Sequence, residues 1–205
     1  CEQEYESVLK PFTMVDVEKY YYTVANDFDA VLLSNWLKRI NKQTKLIEIL
    51  NIAIHLIGAI GELHSAQKII RYLCPANILV NPLSGKVRLI GIEETSLFQE
   101  EEPPLTDSDF VTNVLPYMAP EMAGKFYSNV GFYSDYYSFG AILFHLLTSR
   151  YPFLETNPVK LVNTILSQKP KPPAKINSEI PHPLSDIVLK LLCKRPENRY
   201  QSVWG

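Results

Sequence analysis

The stretch that decides the fold is residues 70–80, which read Ile70-Arg71-Tyr72-Leu73-Cys74-Pro75-Ala76-Asn77-Ile78-Leu79-Val80. The part up to position 77 mixes charged, aromatic and Pro residues and predicts a loop, whereas the last three residues are apolar and predict a strand. A turn-forming cluster follows at 81–85, and a second apolar stretch occupies 87–90. The two short strands therefore predict a hairpin directly after the loop.

Upstream of this loop the sequence predicts strands first and then helices. Residues 12–17 and 19–25 are rich in β-branched and aromatic side chains, and predict two strands joined near 16–18. Before these strands, residues 2–9 predict the end of a helix. A short helix is expected over 31–40 and a long one over 45–63, because apolar residues there recur every three or four positions.

Downstream of the hairpin, helices dominate. Residues 93–112 carry acidic, Pro and Ser/Thr residues without periodicity and predict a loop. Helices are expected over 134–148, 158–167 and 184–193, because their apolar residues have helical spacing. The Pro-rich stretch between the last two predicts an extended connector. The order of elements indicates an α+β fold with most of its residues in helices.

Composition narrows the classes of function. The chain has 205 residues and a formal net charge of −2, so no basic field favours nucleic acid or an anionic membrane. Cys1, Cys74 and Cys193 are widely spaced, which predicts neither a disulfide framework nor a zinc site and favours a reducing, cytoplasmic setting. The apolar stretch 52–63 is short and contains His and Gly, so we expect a buried helix and no membrane segment. Because the sequence starts without Met, we expect it to be an excised piece of a longer protein.

Several blocks, in order and at consistent spacing, resemble the eukaryotic-type Ser/Thr protein kinase family, chiefly its helical C-terminal lobe. The loop keeps the frame of the catalytic loop H-R-D-L-x-x-x-N, with Arg71, Leu73 and Asn77 in register. Arg199 falls where the family has a late Arg that pairs with the Glu of its A-P-E block. The other matching blocks are Gly61-Glu62-Leu63-His64, Tyr117-Met118-Ala119-Pro120-Glu121, Ser134-Asp135-Tyr136-Tyr137-Ser138-Phe139-Gly140 and Tyr151-Pro152-Phe153.

The resemblance implies a domain plan. Residues 1–25 would be a remnant of the kinase N-lobe, holding the end of a helix and two strands. Residues 26–30 would be the hinge, and 31–205 the C-lobe, with the activation segment at about 91–121. The closing residues also resemble the kinase-like domain of large bacterial proteins that carry an ATPase module, a GAF domain and a histidine kinase. The implied partners are other domains of the parent protein or other signalling proteins.

Four positions that carry kinase chemistry hold other residue types. The catalytic Asp is replaced by Tyr72, and a phenol is a much poorer proton acceptor than a carboxylate. Losing a positioned base costs roughly 10²–10⁴-fold in rate. The phosphate-contacting Lys is replaced by Cys74, and the D-F-G Asp, the main Mg²⁺ ligand, by Gly91. Val114 replaces the Thr that precedes A-P-E. A carboxylate at Glu93 comes two positions late and is expected to face another way.

The retained motif residues each have two interpretations. Arg71 could organise the activation segment, although a cation that packs its loop is favoured. Asn77 is a metal ligand in the family, but here we favour a side-chain hydrogen bond that holds its own loop, with any metal role vestigial. Asp135 is expected to cap a helix and to bond the catalytic-loop backbone. Glu121 and Arg199 are expected to form a structural ion pair.

Two further expectations concern ligands. The four histidines have no metal-ligand spacing, so we predict no metal site and assign His55, His64, His145 and His182 to packing or surface positions. Adenine recognition at a hinge is largely through the backbone, so Asn26, Asp27 and Phe28 are a possible nucleotide hinge.

The sequence therefore predicts a protein kinase-like domain that is catalytically inactive, a pseudokinase serving as a regulatory or interaction module without a cofactor. Two alternatives stay open. One is a Ser/Thr kinase with residual activity that uses ATP and Mg²⁺, and the other is a nucleotide sensor that transfers no phosphate.

Overall fold

We describe a computed structural model of the chain. It describes Glu6, Val8, residues 28–40, 44–91, 108–123 and 130–205, together with the backbone of two strands near the N-terminus. Those strands, β1 (Thr13–Val17) and β2 (Tyr20–Val24), pair antiparallel with Thr13 opposite Val24. The two strands predicted from β-branched and aromatic content are therefore confirmed.

The predicted helix end over 2–9 is described at only two positions, and neither is helical. Glu6 lies in a turn, and its backbone N–H donates to Oε1 of Glu62 (2.6 Å). Val8 forms an isolated parallel bridge with Leu89. At these two positions the prediction is wrong, because the backbone groups bond to distant parts of the chain instead of to a helical turn.

A second sheet of three strands has the order β3-β4-β5. It contains β3 (Val31–Leu32), β4 (Ile78–Val80) and β5 (Val87–Leu89), all antiparallel, and the β4–β5 hairpin confirms the predicted one. The helix predicted over 31–40 is shorter than expected: α1 is Leu33–Leu37. Its first two expected residues are strand instead, because they pair with β4.

The helix α2 (Leu46–Ser65) confirms the long helix predicted from apolar spacing. By length and composition alone α2 could cross a membrane, as the core helix of many globular domains could. Its inward face packs into the hydrophobic core with side chains such as Leu56 and Ile60, both fully buried. The helix therefore serves as a core element of this lobe.

The C-terminal half is helical, as predicted, with three long helices. They are α4 (Phe132–Thr148), α5 (Pro158–Ser167) and α6 (His182–Leu191). One unpredicted helix, α3 (Ser108–Asn113), lies where the sequence predicted only loop. Short 3-10 turns follow at Leu115–Tyr117 and Pro120–Met122, and another, Pro173–Lys175, interrupts the stretch predicted to be extended.

The core is centred on α4, which is buried on almost every face. Helix α6 crosses it so closely that a Cβ added at Gly140 would lie 2.6 Å from Cβ of Leu191, so glycine is required there. The two small sheets together with the larger set of helices confirm the predicted α+β class. Helix α4 of this helical part contacts the 70–80 loop through Asp135.

Candidate functional site

The loop that defines the site runs from the end of α2 to the start of β4. Asp135 holds this loop through hydrogen bonds to its backbone. This carboxylate is fully buried near the start of α4. Its Oδ2 accepts from the backbone N–H of Ile70 (2.9 Å) and its Oδ1 from that of Arg71 (2.8 Å). Arg71 has φ +67°, a left-handed conformation that costs energy in a non-glycine residue. The two hydrogen bonds from the carboxylate help to hold the loop in this conformation.

Asp135 does not cap its helix, contrary to the prediction. The N-cap is Gly131, and Oγ of Ser134 accepts from its N–H (3.4 Å). Asp135 instead accepts a third hydrogen bond, from Nε2 of His64 (2.7 Å) at the end of α2. The carboxylate therefore ties the loop to two helices.

His64 is a residue whose role the sequence did not reveal. It is 7% exposed, and besides Asp135 it contacts the hydroxyl of Tyr136 (Nδ1 to O, 3.3 Å) and the ring of Phe132 (4.4 Å between centroids). Its partner lies 71 residues away, so spacing along the chain carries no signal of the contact. The only hint was its place in the block that resembles the end of the family's long helix.

The side chain of Asn77 is engaged within its own loop. Its Nδ2 donates to the carbonyl of Tyr72 (3.0 Å), and its Oδ1 accepts from the N–H of Cys74 (3.0 Å). Cys74 is 3% exposed, and burial raises the pKa of its thiol. The Lys position of the catalytic loop therefore holds a neutral, buried side chain.

The ring of Tyr72, at the position of the catalytic Asp, packs against the activation segment. It meets the ring of Phe110 of α3 edge-to-face, with centroids 5.6 Å apart and an interplanar angle of 81°. The guanidinium of Arg71 lies 6.0 Å from the centroid of Tyr72. Tyr72 is half-buried by these neighbours, so the ring is a packing element in this structure.

The other two positions at which the sequence predicts a substitution are Gly91 and Val114. Gly91 follows β5 with φ +66° and has no side chain, so it offers no carboxylate. The surroundings leave room for a side chain, because a Cβ at this position would meet nothing within 4 Å. Val114 is half-buried, and its N–H donates to the carbonyl of Phe110 (2.9 Å). Glu93 lies outside the described residues.

Glu121 and Arg199 form a buried ion pair with two parallel hydrogen bonds of 2.7 Å. Arg199 also donates to the carbonyls of Cys193 (2.8 Å), Tyr133 (2.8 Å) and Lys194 (3.0 Å). Oγ of Ser134 donates to Oε1 of Glu121 (2.8 Å). The ion pair therefore joins two distant parts of the chain, the block at 117–121 and the C-terminal turn that contains Arg199.

A cluster of polar aromatic side chains that the sequence did not predict is formed by Tyr117, His145 and Tyr151. The hydroxyl of Tyr117 lies 2.8 Å from Nδ1 of His145, and the ring of Tyr151 packs on the imidazole at 4.6 Å between centroids. Burial lowers the pKa of His145 to about 4 and raises the pKa of Tyr117. A neutral imidazole can accept the hydroxyl hydrogen, and burial disfavours the protonated form of His145.

We expect His145 to make the fold sensitive to acid. Its folded pKa lies below the ordinary value of 6.5, so its contribution is fully present above about pH 6.5 and is lost as pH falls towards 4. Between pH 7 and pH 5 the free energy of unfolding should fall by about 2 kcal/mol from this group. Equilibrium urea unfolding at the two pH values measures the change. The variant His145→Gln should lose most of this pH dependence, and an unchanged slope in it would contradict the assignment.

The described end of the predicted hinge is Phe28. Its carbonyl accepts from Nδ2 of Asn81 (2.8 Å), and the guanidinium of Arg88 lies 4.8 Å from its ring centroid. Asn26 and Asp27 lie outside the described residues. Phe28 is therefore fastened to the β4–β5 hairpin of the C-lobe.

Within the parts of the chain that the structure describes, no three His, Cys, Asp or Glu side chains come together as metal ligands would. A helical lobe that presents this loop, this buried Asp135 and this Glu121–Arg199 pair is the C-lobe of a protein kinase-like fold.

The comparison with known families agrees. The sequence model of the protein kinase domain matches residues 3–203. This chain belongs to the protein kinase family.

Its relatives are both Ser/Thr kinases and histidine kinases. A hybrid signal transduction histidine kinase of Dictyostelium discoideum is 41% identical over 98 residues, which cover 48% of this chain and 3% of that protein. A probable serine/threonine-protein kinase of Streptomyces coelicolor is 31% identical over 153 residues, covering 75% of this chain and 22% of that protein. A histidine protein kinase of Candida albicans is 31% identical over 161 residues, covering 76% and 6%. The chain spans less than a quarter of the length of each.

Proposed function

We propose that this chain is a pseudokinase module that regulates or docks other domains of a larger signalling protein without transferring phosphate. The observation that carries the proposal is Tyr72, which stands at the position of the catalytic base and has its ring against Phe110. A kinase needs a carboxylate there to accept the proton of the substrate hydroxyl. A phenol packed against a neighbouring ring supplies no such acceptor.

The donor set for Mg²⁺–ATP supports the same proposal. Mg²⁺ is held by one or two carboxylates together with phosphate oxygens. Gly91 offers no carboxylate, and the amide oxygen of Asn77 already accepts a hydrogen bond from Cys74. These residues do not fit the metal as an active kinase holds it.

The setting of the module is part of the proposal. The Dictyostelium and Candida relatives are histidine kinases by name, and this chain matches only a small share of each. A kinase-like module in a larger signalling protein is consistent with that pattern. We place the module in a reducing, cytoplasmic setting, in which Cys74 and Cys193 would stay as thiols.

Nucleotide affinity in the presence and absence of Mg²⁺ tests the proposal. Because the proposed module uses no cofactor and Gly91 offers Mg²⁺ no carboxylate ligand, we expect the whole protein to show no measurable affinity for ATP with or without Mg²⁺. The matched variant Asn77→Asp adds a carboxylate, so we expect Mg²⁺ to raise its affinity for ATP. A Mg²⁺-dependent rise of tenfold or more in the unaltered protein would contradict the proposal. Metal-independent binding would favour the nucleotide sensor.

A further inference from the structure

We propose that Lys194 is a site of acylation, at which the side-chain amine takes an acyl group from an activated donor with an anionic carrier, an acyl phosphate or an acyl-CoA thioester. Lys194 follows α6 and comes five residues before Arg199 in the chain. The inference goes beyond the proposed function, and neither depends on the other.

The amine of Lys194 is held against the end of α5. Its Nζ donates to the carbonyl of Ile165 (2.5 Å), which belongs to the last turn of that helix. The last four carbonyls of a helix have no partner within it, so this hydrogen bond caps α5 from a position 29 residues later in the chain. The carbonyl of Lys194 accepts from Nη2 of Arg199 (3.0 Å), which also fixes its backbone. The amine therefore has one defined position.

The surroundings of this amine disfavour its charged form. Lys194 is half-buried, and its Nζ lies 4.2 Å from the ring centroid of Phe153, which is itself buried. Among the described residues, no Asp or Glu forms an ion pair with Lys194. Its charged neighbour is a second cation, Arg199. A lysine that is desolvated and lies beside another cation is activated as a nucleophile.

The acid–base balance of Lys194 agrees with this geometry. Burial, and after it repulsion from Arg199, lowers the pKa of Lys194 from its ordinary value of 10.5 to about 8. With that pKa about a quarter of the amine is neutral at pH 7.5, against about 0.1% for a lysine of ordinary pKa. Because only the neutral amine has a free electron pair, Lys194 has a much larger reactive fraction than an ordinary lysine.

The charge of this part of the chain favours an anionic donor. Residues 150–205 hold nine Lys and Arg against four Asp and Glu, although the whole chain has a net charge of −2. Arg195, the next residue after Lys194, is exposed. Positive charge on a surface raises the local concentration of anions. Acyl phosphates and acyl-CoA thioesters both carry their acyl group on a phosphate-containing anion, so both fit this surface.

The proposed reaction is an acyl transfer. The electron pair of the neutral Nζ attacks the carbonyl carbon of the acyl group. An N–C bond forms, and the C–O bond to phosphate or the C–S bond to the thiol breaks. The phosphate or thiolate leaves with the bonding pair, and the amine proton passes to water. No atom is oxidised or reduced, so the reaction needs no further reactant.

Acylation would weaken the cap of α5. The amide that forms has no positive charge, so it loses the attraction to the ring of Phe153 and the charge-assisted part of the hydrogen bond to Ile165. The last turn of α5 would then open more often. Modification of one side chain would thus change the order of a helix that lies far away in the chain.

Acetylation of the whole protein at pH 7.5 tests the proposal, with acetyl phosphate and acetyl-CoA in separate reactions and the modified sites located by peptide mass spectrometry. Lys190 is the matched control, because it also lies over an aromatic ring, that of Tyr200 (4.1 Å), but is exposed. We expect at least one donor to acetylate Lys194 roughly 10-fold faster than Lys190. The donor that reacts identifies the source of the acyl group. A rate at Lys194 no higher than that at Lys190 with both donors would overturn the proposal.

The pH dependence and the unfolded protein separate the effect of the fold from that of the local sequence. The rate at Lys194 should level off above about pH 8, where most of its amine is already neutral, and a rate that keeps rising to pH 10 would contradict the assignment. In the urea-unfolded protein Lys194 and Lys190 should react equally fast. A preference for Lys194 that persists there would overturn the proposal, because it would not come from the structure.

Hydrogen–deuterium exchange of the acetylated protein tests the effect on α5. The amides of 165–168 should exchange roughly 3-fold faster than in the unmodified protein, whereas the core amides of α4 should be unchanged. Unchanged exchange of 165–168 would show that the amine of Lys194 does not hold the end of α5.

Discussion

Arg199→Ala should lower the free energy of unfolding by about 3–5 kcal/mol, the range observed when one partner of a buried ion pair is removed. The change leaves the carboxylate of Glu121, whose side chain is 7% exposed, with the hydroxyl of Ser134 as its one remaining side-chain partner among the residues that the structure describes. It also removes the donor to three backbone carbonyls. Because single domains have total stabilities of about 5–15 kcal/mol, the variant should be at the edge of folding.

Equilibrium urea unfolding measures this loss, and two variants sharpen it. Arg195→Ala removes an exposed Arg four residues away and should change the stability by less than about 0.5 kcal/mol. Arg199→Lys keeps the positive charge and loses the planar fork, so it should fall between the two. A loss of less than about 1 kcal/mol in Arg199→Ala would mean that the pair does not hold the activation segment to the C-terminal turn.

Asp135→Ala should cost a similar amount, roughly 3–5 kcal/mol. The substitution leaves the N–H groups of Ile70 and Arg71 and the Nε2 of His64 without their shared acceptor in a buried site. Asp135→Asn keeps one acceptor oxygen and places an NH₂ group where the other stood. It should therefore lose less stability than the alanine variant, yet still release one of the loop contacts.

Local exchange distinguishes this effect from a general loss of stability. In Asp135→Asn the amides of Ile70 and Arg71 should exchange faster relative to the core amides of α4, because their acceptor is weakened. Asp186→Ala, at an exposed position of α6, is the matched control and should change neither measurement. If the loop amides of Asp135→Asn follow the core amides without any local increase, Asp135 does not position the loop.

The extent to which sequence predicted this fold depends on the range of the interactions. The helices α2 and α4 were predictable because their apolar spacing reflects burial along a single element. The helix α3 was not, because it is short and mostly polar, and its Phe110 packs against Tyr72, 38 positions earlier in the chain. The two residues of β3 were assigned to a helix because their strand pairing comes from β4, which no local pattern shows.

The candidate site divides in the same way. The frame of the loop and the ion pair of Glu121 with Arg199 could be proposed because they resemble motifs with fixed spacing. The roles of His64 and of the cluster around His145 could not, since their partners come from other helices or from the activation segment. The four substituted positions stay predictions from the motif resemblance, whereas the structure shows that the ring of Tyr72 packs against Phe110.

The pattern of retained and lost residues has one physical reading. The buried groups that fasten the loop, Asp135 and Asn77, have their hydrogen bonds satisfied, and leaving such groups unpaired would cost about 1–3 kcal/mol each. Tyr72 and Gly91 stand at two of the predicted catalytic positions, and neither carries a carboxylate. This combination supports the proposal that the module does not transfer phosphate.

The most direct test of this account is the rate at which the whole protein transfers the γ-phosphate of ATP, with Mg²⁺ or Mn²⁺, to itself and to a generic Ser/Thr substrate. We expect no transfer above that of an Asn77→Ala variant purified in parallel, which controls for contaminating kinases. Transfer that requires the divalent ion and disappears in Asn77→Ala would contradict the account and identify the chain as part of an active kinase.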